Sequence, residues 1–211
     1  HLFAPDPAPR LRDVQNGSAP LPWTAERYSK PQEEGEQAES IAVLKRHAVC
    51  FFSLFGHKLG LIGLHLKSNP SDAQANAQRM AEAAIVRRIV QREIVGRGYS
   101  PIILGDLNDY DPDVEMADPT RKTQTAVLQL LKDIDSQRDG NELVNAAASI
   151  YRVADRFSSH WDYNENGAAD GDDVFTLIDH ILLSKELATG LKRAFICHAN
   201  SLEISDHFPV V

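Results

Sequence analysis

Between His47 and Leu104 the hydrophobic pattern changes period twice, and that change restricts the fold more than any other feature of the sequence. His47-Ala-Val-Cys-Phe-Phe-Ser-Leu-Phe55 and Lys58-Leu-Gly-Leu-Ile-Gly-Leu-His-Leu66 are apolar runs of strand length, joined by a tight Gly56-His57 connection. Short apolar runs bounded by turn residues predict strands. From the N-cap candidate Ser71 to Val95, residues Ala77, Met80, Ala81, Ala84, Ile85, Ile89 and Ile94 recur on a helical period among Gln, Arg and Glu. This predicts a long amphipathic helix. Gly96 and Gly98 end it, and Pro101-Ile-Ile-Leu104 follows as a short, continuously apolar strand. Strand, helix and buried strand in that order describe a layered α/β unit whose polar residues collect at strand ends.

The rest of the chain is less regular. Residues 1–44 hold most of the prolines, a Glu-rich stretch from Glu33 to Glu39 and no sustained period, so they are expected to be extended or loop-rich, with the domain proper spanning 45–211. A loop of that length is unusual inside a compact domain. Beyond Leu104 come a polar loop from Asp111 to Lys122, a helix from about Thr125 to Asp133, and strand-like segments at Val153–Trp161 and Phe175–Leu183. Two further extended pieces, Phe195-Ile-Cys-His198 and Phe208-Pro-Val-Val211, flank Ser205-Asp-His207.

Composition narrows the class. With 211 residues and a hydrophobic fraction of 43%, the chain can build one ordinary core. A net charge of −8, from 22 Lys+Arg against 30 Asp+Glu, provides no bulk attraction for nucleic acid or anionic membrane. A polyanionic substrate would have to be met by a local patch or by bound cations, whose charge inverts the field around acidic ligands. No apolar run reaches the roughly 18 residues needed to span a membrane. Cys50 and Cys197 match no zinc or redox spacing. Two buried free thiols are expected, a single disulfide being the alternative. Cellular location stays open, secretion or surface display included.

Three polar motifs carry the chemistry. In Gly105-Asp106-Leu107-Asn108 the glycine permits a sharp exit from an apolar strand. Asp106 and Asn108, two apart on an extended segment, would point to one side and could hold a water, a cation or a phosphate oxygen. Simple turn formation is the competing reading. In Ser205-Asp206-His207-Phe208-Pro209 an Asp beside a His, followed by a proline that fixes the chain, suits a metal ligand next to a general base. A capping Asp with a surface His is the plainer alternative. In Leu177-Ile178-Asp179-His180-Ile181-Leu182-Leu183-Ser184 the carboxylate of Asp179 interrupts an apolar strand and needs a partner to be buried there. A histidine on a neighbouring strand would satisfy it, and His207 is the expected one. His65 also stands where an apolar strand ends, before Leu66-Lys67-Ser68-Asn69.

Taken in order, His65-Leu-Lys-Ser68, Gly105-Asp-Leu-Asn108, Ile178-Asp-His-Ile-Leu-Leu-Ser184 and Ser205-Asp-His-Phe-Pro209 resemble the endonuclease/exonuclease/phosphatase superfamily, over roughly residues 45–211. The resemblance implies a DNase I-like fold, a four-layer α/β sandwich with two packed mixed sheets, of which this would be a partial domain. It implies a Mg²⁺- or Mn²⁺-dependent phosphoesterase, nuclease or related phosphodiesterase. A phosphomonoesterase, a phospholipid phosphodiesterase and a noncatalytic binding domain are the alternatives. By resemblance Asp206 binds the cation, with Asp106 and Asn108 directed to the ion or its waters. His207 is the general base oriented by Asp179, Asp106 positions the water, and Asn108 and His65 contact the phosphate. The partner implied is a phosphate ester, nucleic acid among the candidates. The family's upstream strand-end Asn and strand-embedded metal-binding Glu have no match in residues 1–44, where Asn16 and several glutamates lie outside any apolar strand. The N-terminal half of the domain is therefore expected to be missing and the fragment alone to be inactive.

A separate signal lies in Asp162-Tyr-Asn164-Glu-Asn166-Gly167-Ala-Ala-Asp170-Gly-Asp-Asp173. Oxygen-bearing residues at loop positions 1, 3, 5 and 9 and a glycine at 6 match an EF-hand calcium loop, with Asp173 in place of the usual Glu at 12. A structural Ca²⁺ site and a solvated acidic hairpin loop are both compatible with it.

Overall fold

A computed structural model describes residues 4–5, 27–31, 37–41, 44, 47–135, 142–199 and 205–211, with side chains from residue 44 onward. The apolar runs form β4 (His47–Leu54) and β5 (His57–His65), paired antiparallel through a two-residue turn. Phe55 and Gly56 both have positive φ, 50° and 84°, the pattern of a type I′ turn matched to strand twist. The helical period becomes α1 (Ala73–Ile89). Its N-cap is Asp72 rather than Ser71, because the Asp72 carboxylate is the group that accepts from the Gln74 N–H, at 2.8 Å. The helix widens to π geometry over Val90–Ile94, tightens over Val95–Arg97 and stops at left-handed Gly98. Gly60 makes room for this passage, since a Cβ there would lie 2.4 Å from the Ile94 side chain.

The next strand, β6 (Ser100–Asp106), pairs parallel with β5, and the crossover between them is α1. Beyond it lie α2 (Val127–Lys132), β7 (Leu143–Asn145), β8 (Ser159–Trp161), β9 (Val174–Thr176), β10 (Asp179–Ser184) and α3 (Lys185–Thr189). β1 (Ala4–Pro5), β4, β5, β6, β10 and β7, in that order, form a six-stranded mixed sheet, while β8 and β9 form a sheet of their own. The expected strand Phe175–Leu183 is two strands in different ladders, β9 pairing with β8 and β10 with β6. Of the expected strand Val153–Trp161 only the last three residues are extended, Val153–Asp155 being a 3₁₀ turn. Within 1–44, expected to be loop-rich, β2 (Arg27–Pro31) and β3 (Gln37–Ile41) pair antiparallel and lie against α1. Their polar sequence lacks apolar alternation, so their pairing leaves no periodic mark.

Two apolar clusters define the layers. One gathers Ile62, Leu64, Ile85, Ile89, Ile103, Leu128, Leu131 and Leu182 between the sheet and the helices α1 and α2. The other gathers Leu177, Ala146, Ile150, Ile196 and Phe208, with Ile181 and Leu183 against it. Because strand side chains alternate, β10 sends Leu182 to the first and its odd-numbered neighbours to the second, which explains the continuous apolar run Ile181–Leu183. The second layer is built from β8, β9 and the C-terminal segment. Phe208 N–H donates to Ser158 O at 2.8 Å, and Phe195 and Val211 exchange bonds of 2.8 and 2.9 Å. Helices, mixed sheet and a smaller second sheet make a DNase I-like partial sandwich of mixed α/β class. Both cysteines are free, and Cys50 is exposed rather than buried. Val49 faces the helix side, so its neighbour Cys50 must face the other, which is open at β4.

Candidate active site

Register alone brings three of the expected residues together. In the ladders His65 is paired with Asp106, and Asp106 with Asp179, so they sit side by side across the ends of β5, β6 and β10. All three have the opposite parity to the core residues Leu64, Ile103 and Leu182, and therefore belong to the sheet face turned toward the second layer.

From that layer comes His207. Its Nδ1 lies 2.7 Å from Asp179 Oδ2, the pair anticipated for the interrupted apolar strand. Ser158, buried and not singled out from the sequence, organises the junction. Its hydroxyl donates to Asp179 Oδ2 at 2.8 Å and accepts from the Ile178 and Asp179 N–H groups at 3.1 and 2.9 Å. Only its place at the mouth of a short strand could have marked it. The bond to Asp179 is the chief reason the His207 imidazole is raised to about 9, against the opposing effect of its partial burial. Asp106 moves from 3.8 to about 6, first through desolvation and then through repulsion by Asp179.

Asn108 is not on an extended segment, contrary to the expectation. It has φ 52°, and its N–H closes a turn onto Asp106 Oδ1 at 2.9 Å. Its amide nitrogen donates to Leu66 O at 3.0 Å and to Asp106 Oδ2 at 2.8 Å, so turn formation and site assembly are the same event. Gly105 enables it: at φ 126° a Cβ would fall 2.1 Å from Leu64 O. His65, half-exposed, brings Nε2 within 3.6 Å of Asp106 Oδ2. Asp206 is exposed, and its backbone oxygen accepts from His160 N–H at 2.8 Å.

Oxygen donors are the right type for Mg²⁺. Yet among the described residues no three His, Cys, Asp or Glu side chains gather as a ligand group, so Asp206, Asp106 and Asn108 do not by themselves make a cage. The side chains of residues 1–43, where a Glu ligand was sought, lie outside the described residues. In the acidic loop the carboxylates face the loop's own donors. Asp162 accepts from Asn166 and Gly167 N–H, Asp170 from the Asn164 and Asn166 amides, and Asp173 lies 2.6 Å from His160 Nε2. Gly167, at φ 75°, has the left-handed turn that its position in the motif requires.

The architecture is that of a DNase I-like α/β sandwich, with an acid–histidine pair and a clustered Asp, Asn and His at its strand ends. The chain belongs to the Endonuclease/Exonuclease/phosphatase family, whose model matches residues 8–207, so the likeness begins well before residue 45. Among solved structures it is similar to the 3′ phosphatase NExo from Neisseria bound to a product DNA hairpin. That likeness has 16% identity and a TM-score of 0.53, and covers 88% of this chain and 77% of that one. It is also similar to the 3′-5′ exonuclease NExo from Neisseria meningitidis, at 18% identity, TM-score 0.53, and 88% and 78% coverage. At such identities these likenesses speak for the fold alone. No curated protein matches the chain.

Proposed function

We propose that the protein hydrolyses phosphate esters as a divalent-metal-dependent phosphodiesterase of nuclease type. The observation that carries this reading is the row His65, Asp106, Asp179 across three adjacent strand ends, closed by the 2.7 Å bond from Asp179 to His207. With Nδ1–H donated to Asp179, the Nε2 of His207 is the atom that takes the proton of an attacking water. Asp106 positions that water, and His65 meets the phosphate from the far side of Asp106. Asn108 holds the Asp106 carboxylate and the Leu66 carbonyl in place and contacts phosphate only by giving up one of those bonds. Mg²⁺ or Mn²⁺ would supply neutralisation of charge on the phosphate oxygens. Among the described residues the donors form only part of a shell.

Nucleic acid is the substrate class favoured, since the two similar solved proteins are named for a DNA hairpin product and for exonuclease action. The test is a panel of DNA, RNA, a bis-aryl phosphodiester and a sugar-phosphate monoester, each with Mg²⁺ and with EDTA. EDTA-sensitive cleavage of DNA or RNA and of the bis-aryl ester, lost in His207→Ala, is the outcome this reading expects, and it would overturn the expectation that residues 1–211 are inactive alone. Turnover confined to the monoester would make the protein a phosphomonoesterase, and no turnover of any of the four would sink the enzymatic reading.

A further inference from the structure

The sheet face opposite the site holds a buried row of polar side chains that the proposed chemistry does not use. Asn76, Arg79 and Glu82 follow one another at helical spacing on α1 and are all buried, Arg79 at 0% exposure. They close on the segment that continues β5 past His65. Arg79 Nη1 donates to Lys67 O at 2.6 Å, and Glu82 Oε2 accepts from Lys67 N–H at 2.8 Å. Both backbone polar groups of Lys67 are thus held by two side chains of one helix. Asn76 carries the row further, accepting from Arg79 Nη2 at 2.5 Å and donating to Pro70 O at 3.0 Å.

The same guanidinium reaches the other active-site strand. Arg79 Nε makes no hydrogen bond but lies 3.9 Å from Asp109 Oδ2. That carboxylate accepts from the N–H groups of Tyr110, Gln124 and Thr125 at 2.8, 2.9 and 2.9 Å. The backbone oxygen of Asp109 takes a 2.9 Å bond from His180 Nε2. Between these two anchored points lie the groups that must stay in register: Leu66, whose N–H donates to Asp106 O and whose carbonyl accepts from Asn108, and His65 beside Asp106. Burying a guanidinium is unfavourable unless its charge and donors are met, and burial does lower its pKa while Asp109, Glu82 and Asp106 oppose the shift. A helix that only covered the sheet would do so more cheaply with apolar residues at these positions.

We propose that Arg79 and Glu82 are positioning residues, a clamp from α1 that sets the spacing between the His65–Lys67 and Asp106–Asp109 strand ends and so holds His65 and the Asp106–Asn108 turn in register at the site. The role rests on the phosphoesterase reading, while the clamp itself can be observed without turnover. Misplacement of reacting groups by about 1 Å costs rate rather than ground-state binding, on the order of 100-fold.

The experiment compares the protein with Arg79→Lys, Glu82→Ala and Glu82→Gln. It reads kcat and KM on bis(p-nitrophenyl) phosphate with saturating Mg²⁺, together with the NMR resonances of the His65 ring and the Lys67 and Asn108 amides. Arg79→Lys keeps a charge for Asp109 but cannot span Lys67 O in the same geometry, and Glu82→Ala leaves Arg79 in place should the first variant fold poorly. Both should lower kcat about 10- to 100-fold with KM within about threefold, and both should shift the His65 and Asn108 signals. Glu82→Gln, which can still accept from Lys67 N–H, should recover most of the rate. Folded variants with wild-type kcat, or with unmoved His65 and Asn108 signals, would overturn the clamp. If the unmodified protein turns over nothing, the phosphoesterase reading fails on that result, and the NMR shifts still decide whether the clamp sets the strand ends.

Discussion

The imidazole of His207 and the carboxylate of Asp106 respond to pH in ways that follow from their neighbours. Held near 9 by Asp179, His207 is mostly protonated at neutral pH, so base catalysis should strengthen as pH rises, be half-developed near 9 and level off above it. Replacing Asp179 by Asn removes the main cause, and the limb of the kcat/KM profile should move toward the unperturbed value of about 6.5 while the plateau falls. A profile that stays put in Asp179→Asn would remove His207 as the titrating base. For stability the sign is fixed by the upward shift: the His207–Asp179 contribution is complete below about 6.5 and is lost as pH rises through about 9. Asp106 runs differently. Its folded-state value of about 6 exceeds 3.8, so it favours folding below 3.8 and opposes it increasingly as pH rises through about 6. Asp106→Asn should therefore be about 1–2 kcal/mol more stable than the parent at pH 8, with activity abolished. Urea unfolding at pH 8 and pH 5 checks this, and an equal effect at both values would contradict it.

The loop after β6 and the helix α2 are joined by a buried ion pair that neither element explains alone. Lys132, at the end of α2, puts Nζ 2.6 Å from Asp111 Oδ1 and 2.5 Å from Asp113 Oδ2. Asp111 is held below the usual carboxylate range: burial pushes it up, but Lys132 and Asn145 outweigh that. Asn145, on β7, donates to Asp111 and also lies 2.9 Å from His180 Nδ1, which must then accept because Nε2 donates to a carbonyl. Complete burial keeps that imidazole neutral, with its pKa pushed down. Removing one partner strands a charge, so Lys132→Ala should cost about 3 kcal/mol. Asp113→Ala should cost less than about 1 kcal/mol, since that side chain is 62% exposed. Denaturant titration of both variants is the measurement, and near-equal losses would mean the pair is not buried in solution.

Seen whole, the site is assembled between two layers: His65, Asp106 and Asp179 belong to the six-stranded sheet, while Ser158 and His207 belong to the second. The 2.7 Å contact is therefore as secure as the apolar cluster under it, where Phe208 packs edge-on to Phe157 with ring centroids 5.7 Å apart. Phe208→Ala should lose about 3 kcal/mol through the cavity it leaves. It should also let the His207 pKa drop from about 9 toward its ordinary value, as histidine NMR titration would reveal. A destabilised variant whose His207 still titrates near 9 would show that the two layers are not coupled at the site. Among the described residues no helix is long and apolar enough to cross a membrane.

Period and motif order were enough to read β4, β5, α1 and β6, the family, and the pairing of Asp179 with His207. Each of those is encoded locally, as an apolar repeat or as a carboxylate that an apolar strand cannot bury alone. What escaped the sequence depends on residues far apart in the chain. The β2–β3 ladder is polar, and its pairing rests on backbone bonds that leave no pattern in side-chain type. Phe175–Leu183 reads as one mostly apolar segment interrupted by Asp179 and His180, yet the chain divides it between two ladders, because β9 pairs with β8 while β10 pairs with β6. Ser158 and Arg79 look like an ordinary serine and a surface arginine until the fold brings Asp179 to one and Lys67 and Asp109 to the other. A buried polar group reveals its purpose only through its partners, and only the tertiary packing chooses them.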